Sequence, residues 1–296
     1  MSDYILSCCS TADLSREHFE SRDIKYICFH YELNGKQYMD DLGQSMSFAQ
    51  FYSAMASGAD TRTSQINVTE YLDFFEAFLE EGRDILHVSF SSGLSGSYNS
   101  AVTAAGMLRE KYPERKITVI DSLCASSGYG LLMDKAADLR DGGMDMDALS
   151  KWIEENKLNL NHWFFSTDLT FYIKGGRVSK TAGSIAAVLG ICPLLDVDEE
   201  GHLIPRAKIR TKKRVKHAIV ERMKKLALDG ADYSEKCFIS HSACLEDAED
   251  VAHAVEAEFK HLNGKVLINN IGTTIGSHTG PGTVALFFWG KKRGEE

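Results

Sequence analysis

Three short stretches rich in hydroxyl side chains carry most of the chemistry available to this sequence. They are Thr63-Ser64-Gln65, Ser91-Ser92-Gly93-Leu94-Ser95-Gly96-Ser97, and Gly276-Ser277-His278-Thr279-Gly280-Pro281-Gly282-Thr283. The middle stretch follows an apolar, alternating run at 84–90 and precedes an amphipathic segment from Tyr98 to Lys111. It therefore reads as the turn from a buried strand into a helix. Such a turn exposes backbone N–H groups at the positive end of a helix dipole, which suits an anion. Ser95, Gly96 and Ser97 are the candidate donors, and a plain serine N-cap would use fewer such residues. The third stretch reads as a loop shaped by glycine and proline before an apolar strand, and it aims a single histidine, His278.

An enzyme reading competes with the anion cradle. Gly93-Leu94-Ser95-Gly96-Ser97 approximates the nucleophile elbow G-x-S-x-G, with Ser97 in place of the last glycine. Asp121 and His278 follow in Ser, Asp, His order, so a serine hydrolase with Ser95 as nucleophile is the alternative. No phosphate-loop or dinucleotide fingerprint follows a strand. The acidic runs Asp40-Asp41 and Asp196–Glu200 lack metal-loop spacing and read as solvated faces, so no metal is expected. The basic run Arg206, Lys208, Arg210, Lys212, Lys213, Arg214, Lys216 stands out in an acidic chain. Solvated surface and a docking site for an acidic or phosphate-carrying partner both remain open for it.

The elements that must position these residues recur as strand, turn, helix through the first half. Strands are expected at Tyr4–Cys9, Lys25–Leu33 and Lys116–Asp121, with an Asn34-Gly35 hairpin turn. Helices are expected at 47–57 and 69–81, the second with Glu70 in its first turn. This order implies an α/β architecture with a parallel sheet flanked by helices. The pattern changes near 145–160. Strands at His162–Thr167, Leu194–Val197, His202–Ile209, Cys237–His241, Lys265–Asn270 and Val284–Trp289 then make a mixed second domain. Ala182–Leu189, read as a small-residue helix, and Val284–Phe288 are the candidate walls of an apolar cavity. With only four prolines and no low-complexity linker, the two domains should pack closely around a cleft.

Composition narrows the function classes. The chain has 296 residues, 44% of them hydrophobic, enough for one large or two medium cores. A formal net charge of −9 argues against a general nucleic-acid binder. No apolar run approaches the ~20 residues of a membrane span, and the N-terminus has no signal-peptide pattern. Seven cysteines without a C-x-x-C pair support neither a zinc nor a disulfide framework. A cytoplasmic protein with no stable membrane insertion is expected.

Four motifs in register carry a family resemblance: TSQ at 63–65, SSGLSGSYNSA at 91–101, FYIKGGRVS at 171–179 and IGSHTGPGT at 275–283. Together with IDS at 120–122, NGKQYMD at 34–40 and ICPLLDVDEEGHL at 191–203, they make the chain resemble the DegV family from Tyr4 to about Gly290. It departs at the first turn, where Cys9 stands at the place of the family's usual aspartate. The resemblance implies a two-domain fold of DegV (EDD) type. An N-terminal parallel-sheet α/β/α domain would span 1–158 and a C-terminal mixed/antiparallel α/β domain 159–296, with the ligand cleft between them. It implies one bound long-chain fatty acid. In FakB-type members a partner DAK-type fatty-acid kinase transfers the γ-phosphate of ATP to the acid's carboxylate, giving an acyl phosphate. By the same resemblance Thr63 and Ser95 hold the carboxylate and His278 closes the network from the other domain. Ser64, Gly96 and Thr279 support them, and Arg177 contacts the kinase or the phosphate. The chain itself would have no catalytic residue, no metal and no cofactor beyond the acid.

Physical chemistry supports such a ligand independently. Burying the methylenes of a C16 chain such as palmitate gives roughly 11 kcal/mol of gross driving force at ~0.8 kcal/mol each. Lost freedom subtracts several kcal/mol, so the tail supplies most of the affinity. Neutral hydroxyls and N–H groups satisfy a desolvated carboxylate without the mask of a bidentate arginine.

Overall fold

The computed structural model describes residues 4–179 and 190–295. In the first half the strands are β1 (Tyr4–Cys9), β2 (Lys25–Ile27), β3 (His30–Leu33), β4 (Lys36–Met39), β5 (Thr61–Ser64), β6 (Asp84–Ser89) and β7 (Ile117–Asp121). Four of them form a parallel sheet in the order β2-β1-β6-β7. β1 is buried along its whole length and β6 after its first residue, as strands covered on both faces must be. Helices Val68–Glu80 and Ser97–Lys111 pack on each other and against this sheet. The first is opened by a reciprocal capping box between Asn67 and Glu70.

The expected single strand Lys25–Leu33 is two strands. β2 stays in the parallel sheet, whereas β3 joins a separate antiparallel sheet, β4-β3-β5. The break at Cys28-Phe29 lets Phe29 turn inward, where it is 2% exposed. Asn34 and Gly35, both with positive φ, make the tight turn between β3 and β4. The 61–65 stretch, read as short, polar and without period, is largely strand β5.

The second half adds β8 (Leu160–Ser166), β9 (Ile191–Val197), β10 (Leu203–Arg210), β11 (Phe238–His241), β12 (Leu267–Asn270) and β13 (Thr283–Trp289). They form one mixed sheet, β10-β9-β8-β13-β11-β12, in which only β11 and β12 pair in parallel. The helix Ser126–Asp141 lies between the two large sheets, touching the Ser10–Ala12 turn on one side and β8, β11 and β13 on the other. It is buried on most sides, and its glycines permit the approach: a Cβ on Gly128 would collide with His162 and Phe287. The Ala182–Leu189 helix expected from the sequence lies outside the described residues. Among the described residues, no helix is long and apolar enough to cross a membrane.

Candidate ligand site

A cavity of about 260 Å³ lies where the C-terminal ends of the parallel strands, the small sheet and one face of the mixed sheet meet. Thr283, Ala285 and Phe287 alternate along β13 to line its floor, beside Phe164 and His162 of β8. Only the residues of one strand face can do this, so Val284 belongs to the core and not to the wall. Phe29, Phe90 and Ile271 close the cavity on the other side. Its polar end gathers Thr63, Ser95, Gly96, Arg177, His278 and Thr279.

His278 comes from a helix, not from the loop the sequence suggests. Residues Thr273–Thr279 are helical and the turn starts at Gly280, whose φ is +66°. Small and β-branched residues form this helix because its first turn is held from outside. Asp40 accepts from Thr273 N and Thr274 N, and Asp13 Oδ1 accepts from Gly272 N at 3.0 Å. Those acceptors satisfy N–H groups that a helix start otherwise leaves open. Tyr52 Oη also donates to Ile271 O at 2.7 Å. Asp40 is therefore 1% exposed rather than part of a solvated acidic face, and Asp196, 6% exposed, pairs with Arg206. Sequence reasoning missed Asp13 and Asp40, since an acid that accepts N–H groups from 233 to 259 residues away leaves no local pattern.

At the far end of that helix, His278 Nε2 lies 2.7 Å from Thr63 Oγ1, and Nδ1 lies 3.5 Å from Arg177 Nη1. Burial first, and the neighbouring guanidinium second, push the His278 pKa down to about 4. The ring is neutral at pH 7. A guanidinium can only donate, so Nδ1 accepts and the proton sits on Nε2, which donates to Thr63. The threonine hydroxyl keeps its own proton for a ligand. Arg177 also donates to Gly175 O at 2.5 Å and to Leu94 O at 3.2 Å, and burial lowers its pKa. This side chain thus ties the 91–97 turn to His278.

Ser95 reaches the same end from the strand-to-helix turn. Its Oγ accepts from Ser97 N at 3.2 Å, the local bond of a serine cap. Ser97 Oγ is itself engaged with Tyr71 Oη at 2.8 Å, so Ser97 supports the turn and Ser95 and Gly96 face the cavity. The Ser95 proton, like that of Thr63, remains available. Ser64 and Gln65 sit at the exposed rim, where Gln65 Nε2 donates to Ser100 Oγ at 3.2 Å. Thr279 is buried and lines the cavity, with its hydroxyl turned toward Gly280 O at 3.4 Å.

Asp121 takes no part. Its Oδ1 accepts from Ser92 N and Leu123 N, each at 3.1 Å. Among the described residues no hydrogen bond joins it to His278, or His278 to Ser95, so the three do not form a triad. The basic run divides: Lys212 and Lys216 pair with Asp247, and Lys216 also with Asp250, while Lys208 and Arg210 stand exposed on one face of β10. All seven cysteines are free. No group of three or more His, Cys, Asp or Glu among the described residues could hold a metal ion.

A parallel and a mixed sheet closing on an apolar cavity with a hydroxyl-lined end define a two-domain α/β protein of ligand-binding form. More particularly, the chain belongs to the DegV family: the model described as "Uncharacterised protein, DegV family" matches residues 9–291. A DegV domain-containing protein of Clostridium perfringens is 35% identical over 290 residues, covering 98% of each chain. A Thermotoga maritima protein, whose structure is described as revealing fatty acid binding function, is 25% identical. It superposes with a TM-score of 0.82 over 98% of this chain and 100% of that one. The Streptococcus pneumoniae fatty-acid kinase B3 protein, solved loaded with linoleic acid, shares the fold at 21% identity. Its TM-score is 0.82, over 98% of this chain and 100% of that one.

Proposed function

We propose that this protein binds one long-chain fatty acid in the cavity and presents its carboxylate to a separate DAK-type fatty-acid kinase in the cytoplasm. One observation carries the reading. Two hydroxyls, Thr63 Oγ1 and Ser95 Oγ, stand at the polar end of an apolar cavity, each already accepting one bond and each with a proton to give. Two such donors match the two oxygens of a carboxylate, and the N–H groups at the start of the Ser97–Lys111 helix add positive potential. Neutral His278 orients the Thr63 proton without forming an ion pair, so the head group stays reactive. Arg177 at the mouth offers its cation to an incoming phosphate. Seven free cysteines fit a reducing compartment. The DegV motifs support the kinase partner, the absence of a catalytic residue and cofactor in this chain, and a domain division at 158/159.

Mass spectrometry of an organic extract of the purified protein tests the ligand. A stoichiometric long-chain acid, lost in Thr63→Val/Ser95→Ala, supports the reading; a polar metabolite, or no acid even after incubation with a mixture, overturns it. Reconstitution with a fatty-acid kinase and ATP tests the second half: the acid-loaded protein should yield acyl phosphate only when the kinase is present, and no product with any such kinase overturns the partnership. Covalent labelling of Ser95 by a fluorophosphonate probe would favour the hydrolase instead.

A further inference from the structure

The floor of the cavity has a measurable end. From Thr283, whose hydroxyl bonds Tyr172 Oη near the polar end, to Phe287 the lining face of β13 advances four residues. That is roughly 14 Å at about 3.4 Å per residue, the reach of about ten or eleven extended methylenes. At this distance Phe287 and His162 meet edge to face with ring centroids 5.3 Å apart, both nearly fully buried. His162 and Val197 also line a small polar crevice of about 10 Å³, together with Arg293 and the Asp196–Arg206 ion pair. The two spaces share those two residues as a partition.

We infer that His162, backed by Phe287, is the end wall that sets the length of acyl chain this protein accepts. The inference rests on the fatty-acid reading above and names a specificity determinant within the same site. The wall is chemical as well as steric. Beyond the imidazole a methyl end would meet the guanidinium of Arg293 and the carboxylate of Asp196, where hydrocarbon displaces the solvation of charged groups. His162 is held rigid: Nδ1 lies 3.1 Å from Leu160 O and Nε2 accepts from Ala125 N at 3.4 Å. Burial and the Arg293 charge keep the ring neutral, so it faces the tail as an uncharged plate. Its partner in position, Phe287, is fixed by the sheet register opposite it.

Two measurements test this. The wild-type protein crystallised with an ω-bromo fatty acid should give an anomalous bromine peak in van der Waals contact with His162 or Phe287. A peak elsewhere in the cavity overturns the inference. Competition among saturated acids from lauric to behenic should show a sharp loss of affinity beyond one length. His162→Ala and Phe287→Leu should each move that loss to chains longer by about two carbons, the space the truncated rings release. An unmoved limit in a folded variant overturns the end wall while fatty-acid binding stands. A wild-type protein that binds none of the acids removes the fatty-acid reading itself.

Discussion

His278 Nε2 stands 2.7 Å from Thr63 Oγ1 although 215 residues separate them in the chain. The bond joins the small sheet to the last turn of the Thr273–Thr279 helix, and it determines which way the threonine proton points. Everything the polar end offers a carboxylate depends on that direction and on the equivalent arrangement at Ser95.

Removing either hydroxyl should weaken ligand retention without unfolding the protein. Thr63→Val is nearly isosteric, and Ser95→Ala leaves the turn's other supports in place. A hydrogen bond to a charged group contributes about 1.5–3 kcal/mol, so each variant should bind fatty acid roughly 10- to 100-fold more weakly by calorimetry. Unchanged affinity in both would place the carboxylate elsewhere.

Gly175 should prove as sensitive as His278 itself. A Cβ there would collide with His278 Nδ1, and the neighbour is a ring held on both sides rather than a mobile side-chain end. Gly175→Ala should therefore displace the imidazole from Thr63 and lower affinity to the level of His278→Ala, with a small change in melting temperature. Wild-type affinity in Gly175→Ala would mean that the ring's position does not matter to the ligand.

Much of this was legible in the sequence, and the exceptions share a cause. Asn67 with Glu70 marks its helix, Asn34-Gly35 its turn and 84–90 its strand, because in each the signal lies within a few residues. The DegV motifs marked Thr63, Ser95, Arg177 and His278. What failed depended on distant partners. The first half of the 276–283 stretch looked like loop because its residues are poor helix formers, whereas 276–279 complete the Thr273–Thr279 helix, for which the carboxylates of Asp13 and Asp40 supply what propensity lacks. β5 was read as irregular because Thr61-Arg62-Thr63-Ser64 is polar on both faces, and its strand form comes from pairing with β3. The direction of the cavity was invisible for the same reason: it needs the register of β13 on β8.

Histidine burial makes stability fall on acidification. The pKa of His278 is pushed down from 6.5 to about 4, and burial alone takes His87 to about 3. Below pH 6.5 the unfolded chain takes up protons that the folded chain refuses, so stability decreases as the pH falls from about 6.5 toward 4. His278→Gln should flatten part of that slope in denaturant titrations at pH 7 and pH 5. An identical pH dependence in the variant would contradict the assignment.

The carboxylates behind the His278 helix give the opposite slope. Burial foremost, and Asp40 beside it, hold the pKa of Asp13 well above the usual 3.8; burial likewise raises that of Asp40. Among the described residues no salt bridge reaches either acid, and Asp13 Oδ2 is bonded by Ser126 Oγ at 2.5 Å. Because the folded protein keeps this proton after the unfolded chain has released it, stability declines as the pH rises past the ordinary carboxylate range. Asp13→Asn keeps the acceptor for Gly272 N, and its amide can donate to Ser126 Oγ, which then donates to Ser240 Oγ 2.8 Å away. The variant should therefore melt higher than wild type at pH 8, with the difference vanishing near pH 4, where both carry an uncharged group. A variant that melts lower at pH 8 would mean that the Asp13 charge is used to hold the helix, and the clamp would then be electrostatic rather than a set of neutral hydrogen bonds.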